Sequence, residues 1–242
     1  MQGRVYNGVL DKREYFVYLP PTYGKGDNHY SVIYMQDGDI VIKILNELMA
    51  LIENKSKEDI YYESIIVGVK PIVRNDDYTP WEAEAISKGS SKFGGRGATY
   101  LNFLIKKLKP YIDNKYRTKK EKNFLLGYSL GGLISVFAIY KTKCFSKVVS
   151  ISGSLWYKGL IDFMKKSNPV NLDIKVMLMI GNKEGRSRNV YLKNSIISTE
   201  KALQILKKDL TPSNVVYSIE EGGHVDNILS RYYKTILWLN EK

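Results

Sequence analysis

The sequence is poor in the residues on which several large classes of site depend. Among 242 residues there is one cysteine, Cys144, so an intrachain disulfide and a cysteine-based zinc site are both excluded. No apolar run approaches the roughly 20 residues that a membrane-spanning helix needs. The first eight residues, Met1 to Gly8, lack the apolar segment of a secretory signal. We therefore expect a cytoplasmic protein with no membrane partner.

Positive charge exceeds negative charge. The chain has 37 Lys and Arg against 25 Asp and Glu, which gives a net charge of +12. Such an excess suits nucleic acid, an anionic membrane surface or an anionic small substrate, and it is equally typical of a lysine-rich solvated surface. The densest basic cluster, Arg117–Lys122, is short, and no zinc-finger spacing or RNA-recognition motif accompanies it. Nucleic acid is therefore not an expected partner.

The hydrophobic pattern predicts strands and helices that alternate along most of the chain. Glu14–Leu19 and Tyr30–Met35, separated by a loop rich in Pro and Gly, indicate antiparallel opening strands. Further strands are predicted at 64–69, 123–127, 147–151, 174–180 and 214–219, and helices at about 40–52, 100–112, 130–140, 191–208 and 225–239. This order predicts an α/β fold with a mostly parallel central sheet and helices on both faces. Because no linker or repeat interrupts it, we expect a single domain over residues 1–242.

One long segment breaks the alternation. Residues 71–97 show no periodicity over 27 positions, and structureless loops longer than about 12–15 residues are usually functional or disordered. The aromatic side chains of Tyr78, Trp81 and Phe93 argue against disorder. A surface-packed insertion and a wall of a substrate cleft both fit the pattern, and we predict that the segment forms part of the cleft.

The strongest chemical signal is the string Gly127-Tyr128-Ser129-Leu130-Gly131, which matches G-x-S-x-G. It lies between a buried-type strand and an apolar helix, where a nucleophile elbow must lie. Such a turn is tight, so the residues two before and two after the serine must lack a Cβ. The pattern predicts that Ser129 is an exposed nucleophile at the carboxyl end of the sheet. A glycine-rich turn without chemistry is the alternative.

A serine needs a base, and the chain has two histidines. His29 lies in a polar loop before an early strand. His224 follows the strand ending near Ile219 and precedes the last helix, which is where an α/β-hydrolase places its base. Glu184, after the strand 174–180, completes the chain order nucleophile, acid, base. The alternative is that Glu184 is a solvated loop carboxylate and that the site is a serine–histidine dyad without an acid.

The oxyanion that forms during acyl transfer needs backbone N–H donors. The N–H of Leu130, at the start of the helix after the elbow, is one predicted donor. The second normally comes from a loop after an earlier strand, which here is the Gln36–Asp39 loop. Either Gly38 or Asp39 can supply it.

These motifs together resemble the esterase family of α/β-hydrolases, which contains enterochelin (trilactone siderophore) esterases, feruloyl esterases, S-formylglutathione hydrolase and mycolyltransferases. The resemblance covers nearly the whole chain. It rests on Asp37-Gly38, Arg74 with Asp77–Pro80, Gly94-Gly95, Leu108–Ile112, Tyr116–Thr118, Gly127–Gly132, Ser152–Trp156 and His224. The arginine with the Tyr-Thr-Pro pattern and the Ser-Leu-Trp segment look most like the siderophore-esterase branch. The residue before the serine is more often His or Gln in the family, whereas this chain has Tyr128.

The resemblance implies that Arg74, Tyr78 and Trp156 bind substrate. We therefore expect a serine carboxylic-ester hydrolase that acts through an acyl-enzyme on a small-molecule ester. The predicted substrate is a siderophore trilactone or its anionic iron complex, whose charge would suit the basic chain. A general or feruloyl-type carboxylesterase, an acyltransferase and a non-catalytic ligand-binding protein of this fold are the alternatives. The chemistry calls for no metal and no organic cofactor.

Overall fold

The computed structural model describes residues 1–58 and 63–241. The strands are β1 (Arg4–Leu10), β2 (Arg13–Leu19), β3 (Tyr30–Gln36), β4 (Ser64–Val69), β5 (Glu82–Ala83), β6 (Phe93–Gly94), β7 (Thr118–Tyr128), β8 (Lys147–Ile151), β9 (Lys175–Gly181) and β10 (Val215–Glu220). The helices are α1 (Gly38–Glu58), α2 (Arg74–Asp77), α3 (Gly97–Phe103), α4 (Lys109–Lys115), α5 (Leu130–Ile139), α6 (Leu160–Lys166), α7 (Ser195–Asp209) and α8 (Ile228–Asn240). A π-helical turn, Leu104–Leu108, joins α3 to α4.

Within the described residues, eight strands form one sheet in the order β1-β2-β4-β3-β7-β8-β9-β10. The strands from β4 through β10 along this order are parallel, and β1 and β2 are antiparallel additions at one edge. The predicted fold class is therefore confirmed. One detail differs, because β2 does not pair with β3: β4 lies between them, and the hairpin partner of β2 is β1, which the hydrophobic pattern had not revealed.

The central strands are apolar throughout because both faces of the sheet are covered. Along β3, Val32 and Tyr34 pack into the core on one face, and Ile33 and Met35 pack into the core on the other. Helices α1 and α8 cover the second face, whereas α3, α5, α6 and α7 cover the first. This explains why continuous apolar runs, rather than alternating ones, mark the parallel strands.

The parallel arrangement places the carboxyl ends of β3, β4, β7, β8, β9 and β10 at one edge of the sheet. Ligand sites of open α/β sheets lie outside this edge. The loops that carry the predicted site residues follow these strand ends, so the topology alone brings distant parts of the chain together. No helix in residues 1–58 and 63–241 has the length and apolar character needed to cross a bilayer.

The predicted loop at 71–97 contains α2 and the two-stranded β5–β6 sheet. A buried ion pair anchors its start, since Arg13 Nη2 on β2 donates to Asp77 Oδ1 over 2.9 Å. Farther along, Trp81 Nε1 donates to the carbonyl of Lys158 over 2.8 Å, and Asn189 Nδ2 donates to the carbonyl of Ile86 over 2.8 Å. The segment is therefore held against the loops that follow β8 and β9.

At the opposite edge of the sheet, the side chain of Lys147 caps the carboxyl end of α8. Its Nζ donates to the carbonyls of Trp238 (3.1 Å) and Glu241 (2.7 Å), and burial, with Lys175 nearby, lowers the pKa of Lys147 from 10.5 to about 8. Between these two values the unfolded chain binds more protons than the folded one, so stability rises with pH.

We expect the free energy of unfolding to gain about 1 kcal/mol between about pH 7.5 and 9.5 from this half-buried group. Lys147→Met should remove that gain. Urea unfolding of both proteins at the two pH values measures it. Identical pH dependence in the two proteins would contradict the assignment.

Candidate active site

Ser129 occupies a strained turn between β7 and α5. Its φ is 59° and its ψ is −118°, a conformation that non-glycine residues rarely adopt and that costs about 1–3 kcal/mol. A Cβ on Gly127 would lie 2.0 Å from the carbonyl oxygen of Gly131, and a Cβ on Gly131 would lie 2.9 Å from the Cβ of Gln36. Both positions therefore require glycine. The turn is held by the N–H of Ser129, which donates to the carbonyl of Ile151 over 2.9 Å.

The loop after β10 brings His224 to this serine. Its Nε2 lies 3.1 Å from the Oγ of Ser129, and its ring meets the ring of Tyr128 edge-on, with the centroids 5.7 Å apart. The His224 side chain is 44% exposed, so a ligand can approach it. His29 lies exposed in the loop before β3, at the opposite edge of the sheet.

Glu184 begins a 3₁₀ turn after β9. Its carboxylate accepts a hydrogen bond from Nδ1 of His224, the ring nitrogen that faces away from Ser129. Its Oε2 lies 2.9 Å from Nδ1 of His224, and its side chain is only 1% exposed. Its Oε1 accepts from Ser152 Oγ (2.6 Å), the N–H of Gly181 (2.8 Å) and Arg231 Nη1 (3.1 Å). Burial alone would raise the pKa of Glu184, but the hydrogen bonds from His224, Ser152 and Gly181 outweigh burial and hold the pKa below its usual range.

The ionised Glu184 assigns the tautomer of His224. Because a carboxylate can only accept, Nδ1 must carry the proton, which leaves Nε2 free to accept from the hydroxyl of Ser129. The geometry therefore aligns a hydroxyl, an imidazole and a buried carboxylate in one hydrogen-bonded chain. The three residues come from three loops at the carboxyl edge of the sheet.

The three predicted oxyanion donors lie at two neighbouring helix starts. Leu130 is the first residue of α5, and Gly38 and Asp39 are the first two residues of α1. First-turn N–H groups have no acceptor within their own helix, and they lie at the positive end of its dipole. The two helix starts touch, since a Cβ on Gly131 would lie 3.4 Å from Asp37 Oδ2.

Arg74 and Tyr78, which were expected to bind substrate, both contact Asp37 in the Gln36–Asp39 loop. Arg74 Nε and Nη2 donate to the two carboxylate oxygens of Asp37 over 2.7 and 2.8 Å. The N–H of Asp37 donates to the hydroxyl of Tyr78 over 2.8 Å. Tyr78, which the resemblance assigns to substrate binding, has 0% exposure, and its ring is enclosed by the core. The Arg74 side chain keeps 34% exposure.

Trp156 lies in the loop after β8, half-buried, with its ring 6.1 Å from that of Tyr191. The same loop approaches the serine directly: Ser154 Oγ is 3.4 Å from Ser129 Oγ, and the N–H of Ser154 donates to the carbonyl of Ser129 over 3.0 Å. Trp156 and the exposed Tyr191 therefore stand on two loops that follow neighbouring strands of the sheet.

Arg231, whose side chain contacts Glu184 directly, was not among the site residues predicted from the sequence. Arg231 on α8 is fully buried and donates to Glu184. It occupies the apolar stripe of α8 that includes Tyr232, Thr235 and Leu239. A cation inside such a stripe is the signal that could have identified it, because an arginine is almost never fully buried without a partner.

A model of the esterase family matches residues 8–226 of this chain. The uncharacterized protein YbbA of Bacillus subtilis (strain 168) is 31% identical over 248 aligned positions that cover 100% of this chain and 98% of YbbA. The ferri-bacillibactin esterase BesA of the same organism is 25% identical over 233 positions, which cover 81% of this chain and 78% of BesA. Among solved structures, an IroE-like serine hydrolase from Shewanella oneidensis has a TM-score of 0.76 at 22% identity and covers 98% of this chain and 78% of its own. That likeness establishes a shared fold.

Proposed function

This chain belongs to the esterase family, and on that premise we propose that it is a serine hydrolase of carboxylic esters. The observation that carries the proposal is the continuous chain of contacts from Ser129 Oγ to His224 Nε2 (3.1 Å) and from His224 Nδ1 to Glu184 Oε2 (2.9 Å). This order and these distances support the roles of nucleophile for Ser129, base for His224 and orienting acid for Glu184.

In the proposed reaction, the Oγ of Ser129 attacks the ester carbonyl carbon while Nε2 of His224 accepts the hydroxyl proton. The resulting imidazolium is stabilised by the carboxylate of Glu184. The bond between the carbonyl carbon and the alkoxide oxygen then breaks while His224 gives its proton to that oxygen. The alcohol departs, and the acyl group remains on Ser129 as the acyl-enzyme. Water, activated by the same imidazole, attacks the acyl-enzyme and releases the acid, and Ser129 recovers its proton.

The negative charge that develops on the carbonyl oxygen needs donors that are already in place. We assign the N–H of Leu130 as one donor, and the N–H of Gly38 or Asp39 as the other. The contacts from Arg74 and Tyr78 to Asp37 hold this second donor loop against the elbow. Arg74 therefore supports the oxyanion site through Asp37.

We propose a siderophore trilactone, free or iron-loaded, as the substrate. The relative BesA is a ferri-bacillibactin esterase. Electrostatics support the same class, since four exposed cations flank Glu184 in the loop that carries Tyr191: Lys183, Arg186, Arg188 and Lys193. An iron complex of catecholates is strongly anionic, and a field of one sign concentrates such a ligand near the site. Trp156 and Tyr191 offer flat apolar surface to aromatic rings.

A panel of esters tests this proposal. We expect kcat/KM to be highest for catecholate trilactones and lower for feruloyl esters, S-formylglutathione and p-nitrophenyl butyrate, and we expect a fluorophosphonate to label Ser129. Labelling with a preference for another ester would retain the serine hydrolase and reject the trilactone. Absence of labelling in the folded protein would favour a ligand-binding role.

A charge variant sharpens the panel. Arg186→Ala with Arg188→Ala should raise KM for the iron-loaded trilactone about tenfold and leave KM for the neutral p-nitrophenyl ester unchanged, because only the former is attracted by the field. Lys119→Ala with Lys120→Ala removes the same charge from the opposite edge of the sheet and serves as the matched control. Equal effects of the two pairs would assign the preference to net charge.

A further inference from the structure

The guanidinium of Arg231 joins four of the loops that build the site. Nη1 donates to Glu184 Oε1 (3.1 Å), Ser152 Oγ (2.7 Å) and the hydroxyl of Tyr128 (3.2 Å). Nη2 donates to the carbonyls of Gly223 (2.9 Å) and Glu221 (3.4 Å). These partners follow or end β7, β8, β9 and β10, so one side chain spans the ends of four adjacent strands.

Tyr128 makes the second connection. Its hydroxyl accepts from Arg231 and donates to the backbone carbonyl of His224, while its ring lies edge-on to the imidazole. Tyr128 directly precedes Ser129, so this contact ties the backbone beside the nucleophile to the backbone of the base. The loop after β10 contains two glycines and His224 between Glu220 and Asp226, so it has little side-chain packing of its own to fix its position.

The backbone at Gly181 leaves room for the guanidinium of Arg231. A Cβ on Gly181 would lie 2.5 Å from Arg231 Nη2 and 2.4 Å from the carbonyl oxygen of Gly222, so only glycine admits the arginine here. A planar fork with five donors can reach several acceptors at once, whereas a lysine ammonium concentrates its donors at one point. The number of partners therefore demands arginine and not merely a positive charge.

We propose that Arg231 and Tyr128 are positioning residues, which fix the base His224 and the acid Glu184 relative to Ser129 without touching the substrate. The inference rests on the proposed function, because it assigns a role in that reaction. A positioning role differs from a purely structural role in one respect. The distances from His224 Nε2 to Ser129 Oγ and from His224 Nδ1 to Glu184 Oε2 must depend on the hydroxyl of Tyr128 and the guanidinium of Arg231.

The test compares Tyr128→Phe and Arg231→Lys with Tyr140→Phe. Tyr140 is the matched control, since its buried hydroxyl, at the far end of α5, has no hydrogen-bond partner among the described residues. We expect kcat to fall about tenfold in Tyr128→Phe and about a hundredfold in Arg231→Lys with KM changed less than about twofold, because misplacing a reacting group costs rate rather than binding. The rate of inactivation by a fluorophosphonate should fall by the same factors.

A spectroscopic readout reports on the imidazole itself. In a His29→Gln background His224 is the single histidine, so its Nδ1 proton, hydrogen-bonded to Glu184, gives one assignable downfield resonance. We expect this resonance to broaden or disappear in Tyr128→Phe and to persist in Tyr140→Phe, with equal melting temperatures in the two variants.

The outcomes separate the two proposals. If wild type is inactivated by the fluorophosphonate and Tyr128→Phe equals Tyr140→Phe in rate and in the Nδ1 resonance, the positioning role is wrong. If wild type is not inactivated but its Nδ1 resonance still depends on Tyr128, the positioning contact stands and the proposed hydrolase activity fails. Tyr128→Phe removes a single oxygen, so the test remains decisive even if Arg231→Lys does not fold.

Discussion

Ser129→Ala and His224→Ala are each expected to lower kcat about a hundred-thousandfold or more on the best ester. Alanine at 129 removes the only atom that can form the acyl-enzyme. Alanine at 224 leaves a hydroxyl with no base, and a neutral serine hydroxyl is a weak nucleophile. Because both variants disable the same step, the double variant should be no slower than either single variant.

Single-turnover and steady-state rates with the same ester measure these effects, together with labelling by a fluorophosphonate. His29→Ala is the matched control, since it removes the other histidine from an exposed loop remote from the site and should retain the wild-type rate. A His224→Ala protein with near-wild-type kcat would require another base, and additive losses in the double variant would mean that the two residues act in separate steps.

The elbow was predictable from sequence because its constraints are local. The requirement for Gly127 and Gly131 comes from atoms within four residues of Ser129 and from Gln36 on the adjacent strand, so a short string between a strand and a helix carries the information. The fold class was equally accessible, because two-sided burial gives the parallel strands their continuous apolar runs. Membership of the esterase family, read from the motifs, is confirmed.

Contacts between residues that are far apart in the chain could not be predicted from the sequence. The strand β1 has Asn7 and Gly8 in its middle and only partial burial at the sheet edge, so its pattern is weak. The pairing of β2 with β4 depends on the crossover through α1, which no local pattern encodes. Arg231 contacts residues 47 and 103 positions away, at Glu184 and Tyr128, and only the folded chain shows them as its partners.

Tyr78 shows that a motif can locate a residue beside the site without fixing what its side chain contacts. Its position beside the site follows from the segment that contains Arg74, but the direction of its ring is set by packing against Tyr100, 5.2 Å away. The hydroxyl then reaches the backbone of Asp37 instead of the cleft. Sequence spacing predicts which residues lie near the site, whereas burial in the folded chain decides whether a side chain is open to substrate or supports a loop.

Glu184→Gln separates a triad from a serine–histidine dyad. The Oε2 of Glu184 fixes the proton of His224 on Nδ1, and an amide at this place can instead donate to Nδ1 and hold the wrong tautomer. We therefore expect kcat to fall about a thousandfold to ten-thousandfold with KM little changed. Retention of a tenth or more of the wild-type kcat in a folded protein would favour the dyad.

The same substitution also affects stability, which must be measured separately. Gln leaves the guanidinium of Arg231, which is 0% exposed, without its counterion, and breaking such a buried pair costs about 3–5 kcal/mol. Urea unfolding at neutral pH gives this value. A second variant combines Glu184→Gln with Arg231→Met, which removes the unpaired charge and should recover most of the lost free energy of unfolding, while kcat stays low because both the acid and the positioning arginine are absent. Recovery of both stability and kcat would show that Glu184 serves only to neutralise Arg231 and that Arg231 has no positioning role, and the acid would then be absent from the proposed mechanism.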